Sequence, residues 1–177
     1  MKYLIVSDIH GSYNSAEIIV EKFNNLNCDK ILILGDILYH GPRNDLPSNY
    51  NPKKVIEILN KLADKIIAVR GNCDAEVDQM VLNFNINENY TFKNGERTYL
   101  LTHGHHLDQL DYINVDVILF GHTHIIKKYQ ENNVTFINVG SITIPKENTT
   151  RCYGILNCNT ITIYDIDDNK LLEYGGE

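Results

Sequence analysis

The chain has no tryptophan, and its 177 residues include only four prolines and four cysteines. So little proline, beside 11 glycines, excludes a collagen-like or proline-rich chain. No apolar run approaches the roughly 20 residues needed to cross a bilayer, so no membrane span is expected. The apolar start Met1–Val6 meets Asp8 almost at once and reads as a buried strand rather than a signal peptide. Cys28, Cys73, Cys152 and Cys158 contain no C-x-x-C pair, and a chain of this length can bury a sufficient core without disulfides. A reduced, cytoplasmic protein is expected, with Cys28, Cys152 and Cys158 as inert thiols. Basic residues are the minority, 16 Lys and Arg against 23 Asp and Glu, for a net charge of -7. Non-specific binding to a nucleic-acid backbone wants a basic patch, so that class of partner is not expected. An acidic surplus suits a protein that carries divalent cations, and equally a protein that is merely soluble. The 11 tyrosines are scattered and offer no platform on which single-stranded bases would stack.

What is present is an ordinary globular composition, 43% hydrophobic and 22% charged, too apolar for a disordered chain. No repeat, linker or low-complexity tract interrupts it, so one domain over residues 1–177 is expected. Short apolar runs at 4–6, 31–34, 66–69, 99–102, 117–120 and 135–139 read as strands. Residues 154–157 and 160–164 read as a closing hairpin. Helices are expected from Ser15 to about Asn25, with Ile18, Ile19 and Phe23 on one face, and from Pro52 to about Leu62, with Pro in the first turn. A short helix or loop near 109–113 fills the gap before 117. Strands separated by helices imply parallel βαβ units in the first half, and the closer spacing later suits antiparallel or mixed pairing.

The chemistry lies just after the strands. Their ends carry Asp8-Ile9-His10, Gly35-Asp36, Gly71-Asn72-Cys73-Asp74, His103-Gly104-His105 and Gly121-His122-Thr123-His124. In an open α/β sheet, ligands bind beyond the carboxyl ends of the strands, so these segments should converge on one crevice. Asp, Asn and His offer hard or borderline donors suited to Mn, Zn, Fe or Mg. On extended segments D-x-H and H-x-H would each turn both side chains to one side. Any single histidine among these is more often a packing residue, but five of the seven histidines fall inside these strand ends, which argues for a shared site. Asp8, His10, Asp36, Asn72, His103, His122 and His124 are too many for one tetrahedral ion. Two ions sharing a bridging carboxylate would use them all, and Asp36 is the natural bridge.

The ordered motifs D-x-H, G-D, G-N-x-D, H-G-H and G-H-T-H, followed by Asn138-Val139-Gly140-Ser141, resemble the calcineurin-like metallophosphoesterase superfamily. The short length and the segment Gly35–Asn44 are similar to its bacterial YfcE-type phosphodiesterase branch. The resemblance implies an α/β fold, a four-layer αββα sandwich of two mixed sheets. It implies that Asp8, His10 and His124 hold one ion, that Asn72, His103 and His122 hold the other, and that Asp36 bridges them. The ions implied are divalent, Mn2+ first, with Zn2+, Fe, Ni2+ or Co2+ in some members. Two such ions lower the pKa of a bridging water to give hydroxide near neutral pH, and clamp phosphate oxygens for its in-line attack. A small phosphodiester is the implied substrate. No protein nucleophile is needed, so Ser7, Ser12 and Ser141 are assigned structural roles.

One departure from the family pattern stands at Cys73, where G-N-H-D or G-N-H-E is usual and the His assists the leaving group. A thiol with an ordinary pKa near 8.5 can donate a proton but carries no imidazolium charge, so activity should fall steeply for poor leaving groups. Asp74 would orient its neighbour or a nearby imidazole. In the loop after Asp36, His40 and Arg43 are candidate substrate-binding residues, Arg43 because its forked donors suit a phosphate. His105 either touches substrate or shapes its loop, and Arg70 supports its own loop by ion pairing. The alternative function is a protein-interaction scaffold of the Vps29 type, in which the leaving-group His is lost. Against it, a scaffold has no reason to keep all seven ligands. Self-association through an exposed sheet or helix face is compatible with either.

Overall fold

The computed structural model describes residues 1–175. The first half alternates strand and helix: β1 (Lys2–Val6), α1 (Tyr13–Asn25), β2 (Lys30–Ile33), α2 (Pro52–Asn60), β3 (Ile66–Val69) and β4 (Ile86–Asn87). The second half is almost all strand: β5 (Tyr90–Asn94), β6 (Arg97–Leu101), β7 (Val117–Phe120), β8 (Ile126–Glu131), β9 (Val134–Val139), β10 (Cys152–Asn157), β11 (Thr160–Asp165) and β12 (Lys170–Tyr174). They form two mixed sheets, a seven-stranded one in the order β12-β11-β10-β1-β2-β3-β4 and a five-stranded one in the order β5-β6-β7-β9-β8. The parallel strands β1-β2-β3, joined through α1 and α2, are the βαβ units expected of the first half, and the second sheet is mixed, with β6-β7-β9 parallel and β5 and β8 antiparallel.

Local chemistry sets the helix ends. Ser12 caps α1, its hydroxyl accepting from Ser15 N at 3.4 Å, so the helix starts at Tyr13, two residues before the start the periodicity suggests. Asn51 caps α2 through Lys54 N at 3.1 Å, and Pro52 occupies the first turn, where its missing N–H costs nothing. α2 ends at Asn60 rather than Leu62 because the chain tightens there, with Leu62 N donating to Leu59 O at 2.9 Å.

Central strands are buried on both faces, which is why they read as unbroken apolar runs. Leu4 and Val6 of β1 face α1 and α2, packing with Ile19, Ile31, Ile33, Val55 and Leu59. Tyr3 and Ile5 face the other sheet, packing with Leu32, Leu34, Tyr99, Leu101, Val117 and Leu119. Each such fully buried aliphatic side chain contributes about 1.5–3 kcal/mol. The outer face of the second sheet, Leu100, Ile118, Phe120 and Phe136, is covered by Leu107, Leu110, Tyr112 and Val115 of the segment between β6 and β7. The two sheets form the expected sandwich, and this irregular segment supplies its fourth layer. The helix considered near 109–113 is instead a single 3-10 turn at Leu107–Gln109, and Ile113 is exposed.

Candidate metal centre

All parallel strands of both sheets end at one edge, and the expected ligands gather there. They do not lie on extended backbone: β1 stops at Val6 and β7 at Phe120, so the D-x-H and H-x-H pairs belong to the turns that follow. Asp8, His10, Asp36, His122 and His124 all have positive φ, between 49° and 66°. This corrects the expectation that strand alternation aims them. Left-handed backbone at a non-glycine residue costs on the order of 1–3 kcal/mol and persists only where surrounding contacts impose it. Here Asp8 N donates to Gly35 O (3.1 Å), His10 N to Asp36 O (2.9 Å) and Gly121 N to His103 O (3.0 Å), lacing the turns together. His122 N donates to Asp8 Oδ2 at 3.1 Å.

Three imidazoles are oriented in the same way. The Nδ1 of His10 faces Tyr39 O (2.8 Å), that of His103 faces Leu34 O (2.6 Å) and that of His124 faces Ile144 O (2.5 Å). A carbonyl accepts only, so each Nδ1 carries the proton and each Nε2 turns a lone pair inward. Those lone pairs meet other acceptors. His10 Nε2 lies 3.2 Å from His124 Nε2, and His103 Nε2 lies 3.1 Å from Asn72 Oδ1. Asp8 Oδ1 lies 3.1 Å from His124 Nε2 and 3.5 Å from His10 Nε2, buried and without a hydrogen-bond donor. Asp36 Oδ2 stands between the two groups, 3.7 Å from His10 Nε2 and 3.3 Å from His103 Nε2. Acceptors facing acceptors in a buried site require positive charge between them. The donor set therefore fits divalent cations: Asp8, His10 and His124 have ligand atoms within 4.8 Å of one another, as do Asp8, Asp36 and His103. Half-buried His122 stacks edge-on against His103 at 5.1 Å between centroids and stands just outside these triads.

Protons answer the same demand for positive charge. Burial disfavours the charged His103 imidazole, but its contact with Asp36 and the field of Asp8 outweigh that and lift it to about 9. His10 is likewise raised, burial being overcome by Asp8. Burial pushes the Asp8 carboxyl up, but His10 and His124 hold it well below the usual carboxylate range. Burial, then the nearby His103, depress His122 to about 4.

The neighbouring residues divide by role. Asp74 is buried, and its carboxylate accepts from Asp36 N (2.9 Å), Ile37 N (2.7 Å) and Gly71 N (2.7 Å). It clamps the backbone under the ligands, touching neither Cys73 nor an imidazole through these bonds. Cys73 N donates to Asp36 Oδ1 at 2.8 Å, and burial followed by the Asp36 charge pushes the thiol up to about 12, well above the ordinary value assumed for a proton donor. Gly71 permits the approach, since a Cβ there would lie 2.1 Å from Asp36 Oδ1. Ser7, Ser12 and Ser141 hold backbone, as expected; Ser141 Oγ donates to Asp8 O and accepts from Thr143 N and Ile144 N. Arg70 pairs with Glu88 at 3.4 Å. All four cysteines are free thiols.

A narrow cleft opens over the site, its lining including Asp36, Arg43, Asn44, Asn72, Cys73, His122, His124 and Lys146. Arg43 is where the sequence reading placed it. His40 is not in the lining; its ring packs edge-on against Tyr39 and Tyr50 at 4.7 and 5.2 Å. His105 is also outside the lining, 5.5 Å from the His103 ring and 6.1 Å from that of His122, and burial lowers its pKa. Lys146 and Asn44 were missed. Neither has a motif around it, and only the fold brings the segment after β9 back to His124.

Comparison with known proteins places these features. Residues 1–161 match the calcineurin-like phosphoesterase superfamily domain. The chain is 42% identical to phosphodiesterase YfcE of Escherichia coli K12, over 97% of this chain and 96% of that one. The solved structure of the E. coli phosphoesterase superposes with a TM-score of 0.93 at 40% identity, covering 98% of each chain. Zinc-complexed Vps29 of Entamoeba histolytica superposes with a TM-score of 0.65 at 22% identity over 98% of this chain and 97% of that one, a likeness of fold.

Proposed function

The chain belongs to the calcineurin-like phosphoesterase superfamily, and from that premise we propose that it is a phosphodiesterase working through two divalent cations. The observation that carries the reading is the ring of inward-facing acceptors, above all the donorless Asp8 Oδ1 and the facing Nε2 atoms of His10 and His124. In this reading Asp8, His10 and His124 would hold one ion, Asn72, His103 and His122 would hold the other, and Asp36 would serve both. When bound, the two ions supply Lewis-acid charge to the phosphate oxygens and acidify a water to serve as nucleophile.

The chain's own residues prepare that chemistry. The carbonyls of Tyr39, Leu34 and Ile144 fix three imidazoles in the tautomer that presents Nε2, which sharpens their aim and raises their basicity. Asp74 fixes the backbone on which Asp36 and Asn72 sit. Arg43 offers forked donors to a phosphate oxygen at the cleft. His105 shapes the wall beside His103 and His122, and His40 packs the loop that carries Arg43. In the metal-free protein, burial and the Asp36 charge keep the Cys73 thiol protonated, and a thiol lacks the imidazolium charge that would assist a poor leaving group. Substrates with acidic leaving groups are therefore favoured, and rates across a series of aryl diesters should rise steeply as the leaving phenol becomes more acidic.

The reading takes Mn2+ as the ion at both positions and the cytoplasm as the setting, consistent with four free thiols and with the absence, among the described residues, of any helix long and apolar enough to cross a membrane. Exposed Val77, Met80 and Val81 offer an apolar face for self-association, which light scattering would register. The function is tested by stripping the protein of metal and resupplying Mn2+, Zn2+, Ni2+ or Mg2+ in turn. Hydrolysis of bis(p-nitrophenyl) phosphate should appear with metal, disappear with EDTA and exceed that of p-nitrophenyl phosphate. Folded, two-metal protein that turns over neither ester would favour the scaffold reading.

A further inference from the structure

Two cations line the cleft, Arg43 on the loop after β2 and Lys146 on the segment after β9. Both are exposed, and among the described residues neither has a carboxylate within 4.0 Å, in a chain where acidic side chains outnumber basic ones 23 to 16. Lys146 is not placed at random. Its segment is tied to two candidate ligands: Ser141 Oγ donates to Asp8 O (3.1 Å), Ile144 O faces His124 Nδ1 (2.5 Å), and His124 O accepts from Lys146 N (3.3 Å). Thr149 Oγ1, 3.2 Å from His124 O, donates to Lys146 O at 2.7 Å and closes the turn. In the loop after β2, Asn44 Nδ2 donates to His40 O at 2.7 Å and closes the turn that carries Arg43.

The charge balance exceeds what one phosphodiester needs. A diester brings one negative charge, and the ligand ring below is built to hold two divalent cations for it. A phosphoryl group held among the ligand atoms leaves the remaining arm of a diester to run along the cleft, where Arg43 and Lys146 are the cationic lining residues. We propose that Lys146 binds a second anionic group on that arm, so that the substrate is a phosphodiester carrying a further phosphate or carboxylate. The proposal rests on the phosphodiesterase reading and adds a specificity residue to it. Lys146 acts there as a charge for the arm, with no part in proton transfer.

The test compares p-nitrophenyl phenyl phosphate, its counterpart bearing a para-carboxylate on the phenyl ring, and p-nitrophenyl phosphorylcholine, whose arm is cationic. All three release the same phenolate from the same kind of centre. The wild-type protein should prefer the anionic arm over the neutral one by about tenfold in kcat/KM, chiefly through KM, and the cationic arm should be the poorest. Lys146→Ala should collapse that ratio, Lys146→Glu should reverse it, Lys146→Arg should keep it, and added salt should shrink it because exposed charges are screened. Wild-type turnover with no preference among the arms would overturn the proposal. So would a Lys146→Ala loss equal on all three esters, because Lys146 would then serve the scissile phosphate. No turnover of any ester by metal-loaded protein would overturn the phosphodiesterase reading itself, and this proposal with it.

Discussion

Removing the Asp74 carboxylate should damage the protein more than its distance from the substrate suggests. Three buried backbone N–H groups, those of Asp36, Ile37 and Gly71, donate to it at 2.7–2.9 Å. Asp74→Ala leaves all three without an acceptor, and each stranded donor costs about 1–3 kcal/mol. Burial pushes the Asp74 pKa up, so holding the charge there already costs something, and its removal recovers part of the loss. Water entering the space left by the side chain offsets more. The expected net destabilisation is about 3–5 kcal/mol, a large share of the ~5–15 kcal/mol typical of a domain. Asp74→Asn keeps the shape and one oxygen. With that oxygen toward Asp36 N and Gly71 N, only the Ile37 bond is lost, for about 1–3 kcal/mol. Urea unfolding of metal-stripped protein measures both, with the midpoint ordered wild type, then Asn, then Ala. An alanine variant that unfolds within about 1 kcal/mol of wild type would refute the clamp, since that is less than one unsatisfied donor.

Four further outcomes follow from the structure. Gly71→Ala would put a Cβ 2.1 Å from Asp36 Oδ1 and 2.4 Å from Asp36 N, so Asp36 must shift; a displacement near 1 Å should lower kcat/KM about a hundredfold, with circular dichroism showing a retained fold. His103 is raised to about 9 from an ordinary 6.5, so the stability it lends the metal-stripped protein is complete below 6.5 and lost as pH rises to 9. Metal must displace that proton, so Mn2+ affinity measured by titration should climb with pH over the same interval and level off above 9. Far from the site, Asp168 pairs with Lys22 and accepts from the Tyr153 hydroxyl, which hold its carboxyl below the ordinary 3.8. Its contribution is present above pH 3.8 and lost as pH falls through the lowered value; because that side chain is 57% exposed, only about 0.5–1 kcal/mol is expected, and Asp168→Asn should abolish the dependence.

The parts that were legible in the chain are those with physics written locally. β3 and β7 match their expected limits because both faces are buried and every residue must be apolar. β4, β5, β8 and β12 were not foreseen. β8 reads Ile-Lys-Lys-Tyr-Gln-Glu and lies at a sheet edge with four of its six residues exposed, so it bears little hydrophobic pattern. β4 is only two residues long and exists through its pairing with β3. Ligand identities could be read because Asp, Asn and His recur at strand ends, but their aim could not. Left-handed backbone at His10, His122 and His124 is imposed by bonds between distant turns, and nothing local to a histidine announces it. Asp74 looked like a partner for side chains, whereas its acceptors are filled by backbone that only the fold delivers. Lys146 shows the limit most plainly: its place over the cleft depends on His124, more than twenty residues away.

The central claim is a two-ion centre bridged by Asp36, and calorimetric titration of Mn2+ into metal-stripped protein tests it directly. The account predicts two ions per chain for the wild type and loss of paired binding in Asp36→Asn, with the variant still folded. One ion or none in the wild type, or two ions retained by Asp36→Asn, would contradict it.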